Sequence, residues 1–174
     1  ELEVFDAYYS DIHSGSIIAK VTHKGGSRDN KTSLFEITRR KDKKYTLEEY
    51  LRFFKKIEGY KDELHAFLSE LKTQGKKIYA YGAPAKGNTL LNYCNITNEI
   101  IDKAVEINKL KLGFYLPQSH IPITLESKDD LPDYYLLLSH NFAHEIIQKN
   151  KDIVAKGVKF IIPFPEIKVV SDVK

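Results

Sequence analysis

Lys86 stands in a turn of small residues between Gly82 and Gly87, with Asn88 and Thr89 directly behind it. The apolar run Ile78-Tyr79-Ala80-Tyr81 leads into the turn, and Leu90-Leu91 follows it. A strand, a tight turn and a helix start bring open backbone N–H groups and the positive end of a helix dipole to one point. Such a point holds phosphate or another anion. Two known phosphate loops come near this pattern without matching it. In the nucleotide-triphosphatase loop the lysine follows the second glycine, whereas Lys86 precedes Gly87. In the dinucleotide fingerprint a glycine lets backbone approach pyrophosphate, and here Pro84 occupies that place. Glu106 falls 24 residues past Gly82, near the ~20-residue offset of the ribose-binding acid in dinucleotide enzymes. A small NAD-type Rossmann oxidoreductase therefore stays open as an alternative, as does a non-enzymatic nucleotide-binding module.

Other residues could carry chemistry from separate places in the chain. His140 and His144 have the i, i+4 spacing that can chelate a metal, but no third ligand stands at a useful spacing, so no metal is expected. Asn141, at the same helix start, can hydrogen-bond a ligand. His13 lies beside Ser14 and Gly15 in a loop; an imidazole titrates near neutrality and can serve as a general base. Tyr115 and His120 sit in a loop stiffened by Pro117 and Pro122, and Pro163-Phe164-Pro165-Glu166 follows a late apolar run. Loops of this kind often carry function on a rigid scaffold.

These residues need a frame, and the periodicities supply one. Residues 2–9 and 16–22 are rich in β-formers and read as an antiparallel strand pair. Such a pair is marginal alone and should dock on something. Thr46-Leu47-Glu48-Glu49 is a capping box. Leu47, Tyr50, Phe54, Ile57, Leu64, Phe67, Leu68 and Leu71 then recur at helical spacing. They predict one long helix, or two broken near Gly59, ending at Gly75. From Lys76 onward, strands are expected at 77–81, 101–106, 133–138 and 158–162, alternating with helices at 86–94, 140–149 and 150–155. Continuous apolar runs such as Leu136-Leu137-Leu138 suit a parallel sheet covered on both faces. The predicted class is α/β, a Rossmann-like parallel sheet with flanking helices, preceded by a long helix and the strand pair. The expected division is 1–45 and 46–174.

Composition narrows the field. Hydrophobic residues make up 42% and charged residues 29% of the 174, as in ordinary globular proteins. A net charge of +3, spread evenly over both halves, commits no face to nucleic acid. No apolar run approaches the ~20 residues that cross a bilayer, so no membrane partner is expected. The single cysteine, Cys94, excludes an intrachain disulfide and fits a reducing, cytoplasmic setting. The chain has no methionine and reads as part of a longer protein.

Taken together the motifs resemble a known family. Tyr81-Gly82-Ala83-Pro84-Ala85-Lys86-Gly87-Asn88-Thr89-Leu90-Leu91-Asn92-Tyr93 is similar to the signature of the C-terminal domain of S-adenosylmethionine-dependent sugar C-methyltransferases. The resemblance continues in order through Ser119-His120-Ile121-Pro122-Ile123, Leu136-Leu137-Leu138-Ser139-His140-Asn141-Phe142 and Ile162-Pro163-Phe164-Pro165-Glu166. Ile12-His13-Ser14-Gly15-Ser16 resembles the family's His-Gly-Gly-Ser segment, with Ser14 in place of the first glycine. The resemblance implies that residues 1–45 are the end of a methyltransferase domain whose remainder precedes this chain. It implies a nucleotide-diphosphate sugar as ligand and methylation of a carbon beside a keto group. S-adenosylmethionine would serve the full-length parent, with its site outside this chain, so the fragment alone should be inactive. By the same resemblance His13 is the candidate base, or a group that positions the sugar. Gly82, Lys86, Gly87, Asn88, Thr89, Glu106, His120, Asn141 and Glu166 are the candidate sugar-nucleotide contacts.

Overall fold

A computed structural model describes residues 1–10, 15–26 and 45–172. The chain divides into two compact units, Glu1–Leu51 and Arg52–Lys174.

In the first unit, β1 (Leu2–Ser10) and β2 (Ser16–His23) form the expected antiparallel pair. The register shifts between Val4 and Asp6, leaving Phe5 as a bulge. The Asp6 carboxylate is fully buried and lies 3.1 Å from the Lys20 amine. A buried charge is tolerated when paired in this way.

Helix α1 (Leu47–Thr73) is continuous; Gly59 lies inside it without breaking it. The capping box forms as its residues require. The Glu49 amide donates to Thr46 Oγ1 at 3.2 Å, and the Thr46 amide donates to Glu49 Oε2 at 2.9 Å. At the other end Gly75 takes φ +75°. Its amide donates to the Lys72 carbonyl and the Lys76 amide to the Leu71 carbonyl, which is the Schellman termination.

The second unit is built on a six-stranded sheet in the order β5-β4-β3-β6-β7-β8. Its strands are β3 (Ile78–Tyr81), β4 (Lys103–Glu106), β5 (Ile123–Leu125), β6 (Tyr134–Leu137), β7 (Lys159–Ile162) and β8 (Lys168–Val170). All neighbours are parallel except β7 and β8. Helix α2 (Ala85–Tyr93) links β3 to β4, while α3 (Ala143–Lys149) and α4 (Lys151–Val154) lie between β6 and β7. Alternation along each strand sends side chains to two cores. Ile78, Ala80, Leu136 and Leu138 pack with Leu64, Leu68 and Leu71 of α1 and Leu91 of α2. Tyr79, Tyr135, Leu137 and Phe160 pack with Ala143 and Ile147 of α3 and with Ile153 and Val154 of α4.

The expected strands are all present, shortened at their ends. Two more were not foreseen. β5 is three residues long and lies just past a segment read as loop, and β8 follows the proline-rich turn. The expected helix at 140–149 is a short 3-10 turn (His140–Phe142) followed by α3. His140 and His144 therefore fall on different elements, and the spacing that suggested a chelating pair does not describe one α-helix face.

Candidate functional site

The chain runs β3, β4, β5 outward on one side and returns to place β6 on the other side of β3. Open α/β sheets bind ligands where the strand order reverses, at the carboxyl ends of the strands. Here that point holds a cleft of about 410 Å³. Tyr81 and Gly82 from the end of β3, Glu106 from the end of β4, Lys111 from beyond it, and Glu126 from beyond β5 line it. Ser139, Phe142 and Lys149 close it from the β6 side.

The two ends of the sheet differ in how their polar groups are used. At the amino end Asp130 accepts from the Lys77 and Lys103 amines and the Tyr79 hydroxyl. Those bonds, from Lys103 first, hold its carboxyl well below the usual carboxylate range. Asp133 accepts from the Lys77 amide, and Asp102 from the Ile78 amide and the Lys72 amine. These groups satisfy one another. At the carboxyl end several groups are unspent. Lys86 is exposed and makes no ion pair among the described residues. Nδ1 of His140 is shielded from solvent without a hydrogen-bond partner. Burial, with the Lys86 charge beside it, holds the His140 pKa below the ordinary imidazole value.

The turn itself explains its sequence. Gly82 has φ +83°, and a Cβ there would lie 3.1 Å from Ser139 Oγ. A side chain would be strained by the backbone and crowded by the neighbour. Pro84 is the N-cap of α2 in an extended conformation, which the proline ring favours. The Gly87 and Asn88 amides both donate to the Pro84 carbonyl. Ala85 and Lys86, at the first two helical positions, have amides with no acceptor among the described residues, as expected where a helix begins. Gly87 is buried, and a Cβ on it would stand 2.6 Å from Leu138 Cβ. Its role is close helix-to-strand packing.

Glu106 is committed within the protein. Oε2 accepts from the Ala83 amide at 3.1 Å and lies 3.4 Å from the Lys111 amine. Oε1 accepts from the Ile107 and Asn108 amides at 2.9 and 3.1 Å. Burial alone would raise its pKa, but the three amides and Lys111 outweigh burial and hold it below the ordinary value. The carboxylate thus occupies an anion position beside the turn.

The remaining candidates lie on other segments. Asn88 faces a second cavity, of about 470 Å³, and its Oδ1 is shielded from solvent without a partner among the described residues. Thr89 is exposed and donates its hydroxyl to the Ala85 carbonyl at 3.3 Å. His120 is exposed at φ +55°, and Gln118 in the same loop has φ +67°. Asn141 is half-buried in the 3-10 turn. Glu166 is exposed, 3.7 Å from the Lys168 amine. Phe164, two residues earlier, tilts against the His140 ring at 5.8 Å and meets Tyr60 edge-on. His13 lies outside the described residues. The structure brings Gly82 and Glu106 into one cleft and Lys86 near His140. Glu166 follows β7 at the carboxyl edge, whereas His120 precedes β5, where the neighbouring Ser119 carbonyl accepts from the Asn98 amide ahead of β4, toward the amino end of the sheet. Sequence reading missed Tyr81, Lys111, Glu126 and Lys149 as lining residues. Lys111 follows Glu106 by five residues and could have been noticed; Glu126 was hidden because β5 was not read.

The sheet order and the switch-point cleft define a Rossmann-like domain. The chain belongs to the C-methyltransferase C-terminal domain family, whose model matches residues 11–165. It is also 32% identical over 98% of its length to "C-methyltransferase NovU" of Streptomyces niveus. It spans 41% of that relative's length.

Proposed function

We propose that this chain is the part of a sugar C-methyltransferase that holds a nucleotide-diphosphate sugar at the switch-point edge. The observation that carries the reading is the start of α2, where Ala85 and Lys86 follow directly on Gly82 and Pro84, which line the cleft at the carboxyl ends of the strands. The amides of Ala85 and Lys86 and the Lys86 ammonium receive the diphosphate. Tyr81, Ser139 and Glu126 offer hydroxyl and carboxylate groups suited to a sugar, and Asn141 and Glu166 border the approach. Glu106 contributes by fixing the turn.

In the longer protein the reaction is methyl transfer to a carbon beside a ketone, with S-adenosylmethionine bound by the preceding methyltransferase domain. That C–H is weakly acidic, and a base must remove its proton before the enolate carbon attacks the methyl group. His13 is that base in this reading. In the parent enzyme, His13→Ala should abolish proton exchange at that carbon, and persistence of exchange would remove His13 from the role. The exposed apolar residues Leu2, Val4, Ile17 and Val21 of the strand pair belong in this reading against the methyltransferase domain.

Thermal unfolding tests the binding claim on the chain as it stands. A ligand that binds only the folded state, at a hundred times its Kd, adds about 2.7 kcal/mol. A nucleoside-diphosphate hexose should raise Tm by several degrees while NAD leaves it unmoved. Stabilisation by NAD alone would favour the oxidoreductase reading instead.

A further inference from the structure

Helix α1 is longer than the sheet it covers. Near its C-terminus the Lys72 amine meets Asp102, just ahead of β4 and so at the amino edge of the sheet. Earlier in the helix the Tyr60 hydroxyl donates to the Pro163 carbonyl, just past β7 and so at the carboxyl edge. Between these two points Leu64, Leu68 and Leu71 are buried in the core. The turns ahead of Tyr60 have no such cover. The stretch from Arg52 to Gly59 alone carries the helix about 12 Å past the edge.

Apolar residues continue into this overhang. Leu47, Tyr50, Leu51, Phe53 and Phe54 are between 50% and 74% exposed. By helical spacing Leu47, Tyr50, Leu51 and Phe54 share one side and Phe53 borders it, while Glu48, Glu49, Arg52, Lys55 and Lys56 occupy the other. The five leave roughly 500 Å² of side chain bare. That equals the largest apolar patch of a typical monomer. It is also more than half of the ~800 Å² that a standard interface takes from one partner. The apolar surface then crosses the carboxyl edge. Phe164 is exposed and meets Tyr60 edge-on. His140, against Phe164, opens the 3-10 turn that ends in Phe142, and Phe142 lines the first cleft.

We propose that the front of α1 is a docking arm for the part of the longer protein that holds the methyl donor. The chain spans 41% of its relative's length, and in a protein of that size a large piece remains to cover the stripe. Methyl transfer brings donor and acceptor carbon into contact. The carrier of the donor must therefore come to the carboxyl edge, where the cleft opens and the overhang stands. A second copy of this chain would bring a second cleft and no donor. The inference rests on the methyltransferase reading and adds the surface on which the two parts meet.

Amide hydrogen exchange of this chain and of the full-length parent tests it. The amides of residues 50–57 should exchange at least about tenfold more slowly in the parent, because docking suppresses local opening there. The double substitution Leu51→Glu and Phe54→Glu replaces exposed side chains, so the Tm of this chain should stay within about two degrees of the wild type. In the parent the same pair should erase the added protection and slow methyl transfer by about a hundredfold, the cost of a misplaced donor. Equal exchange rates in chain and parent, or full turnover by the double variant, would overturn the proposal. So would a chain that runs as a dimer with these amides already protected, since a second copy would then cover the stripe. A nucleoside-diphosphate hexose that fails to bind the chain, with protection still seen in the parent, would remove the substrate reading and leave the docking arm standing.

Discussion

Glu106 shows how one residue can look like a ligand contact and act as scaffolding. Its distance from Gly82 matches that of a ribose-binding acid, but both of its oxygens are taken by three amides and Lys111. Glu106→Gln keeps the shape and removes the charge, so three amides face a weaker acceptor. Hydrogen bonds to a charged group are worth about 1.5–3 kcal/mol, and a loss of roughly 2 kcal/mol in unfolding free energy is expected. The pH dependence has a defined sign. Because the folded-state pKa is depressed, the charge stabilises the fold above the ordinary value of about 4.5. The contribution is lost as pH falls through the depressed value. Chemical denaturation of both forms should show a gap at pH 7 that narrows below about pH 4.5. A gap that is constant with pH would mean that the charge is not what matters. At this scale the sequence was informative about the turn. Gly82, Lys86 and Gly87 lie close together in the chain, and their spacing alone announced a strand, a turn and a helix start. Tyr81, Lys111, Glu126 and Lys149 converge from four separate elements, and no local pattern could have joined them.

Element α2 carries the site, and its seat depends on Gly87. Glycine inside a helix costs about 0.5–1 kcal/mol relative to alanine, so Gly87→Ala would stabilise an isolated helix. In the protein the added Cβ would come to 2.6 Å from Leu138 Cβ and 3.2 Å from two more of its carbons. Overpacking of that kind costs about 1–3 kcal/mol, and Leu138 is fully buried with nowhere to retreat. The crowding should win. The urea midpoint should fall, by an amount near 1–2 kcal/mol after the helix gain is subtracted. A midpoint that rises would show that α2 can lift from the sheet without penalty. The same element scale explains what sequence reading resolved. Long signals were clear: the capping box and the 27-residue α1, and the apolar runs that became β6 and β7. The three-residue strands β5 and β8 are too short to show alternation. Each follows prolines that read as loop, and tertiary pairing alone makes them strands.

At the scale of the whole molecule, the sheet is polarised. Its amino end is closed by a mutually satisfied set of aspartates and lysines, and its carboxyl end keeps, among the described residues, an unpaired Lys86, open amides and two cavities. The chain belongs to the C-methyltransferase C-terminal domain family, and in our proposal this polarity makes it the holder of a substrate. No helix among the described residues is long and apolar enough to cross a membrane. The central claim is that the start of α2 grips the diphosphate of an activated sugar. Isothermal titration of the wild-type chain and of Lys86→Ala with one nucleoside-diphosphate hexose tests it most directly. The account predicts saturable binding to the wild type and an affinity lower by about tenfold in the variant, the worth of one charge-assisted contact. Equal affinities, or no binding to the wild type, would contradict it.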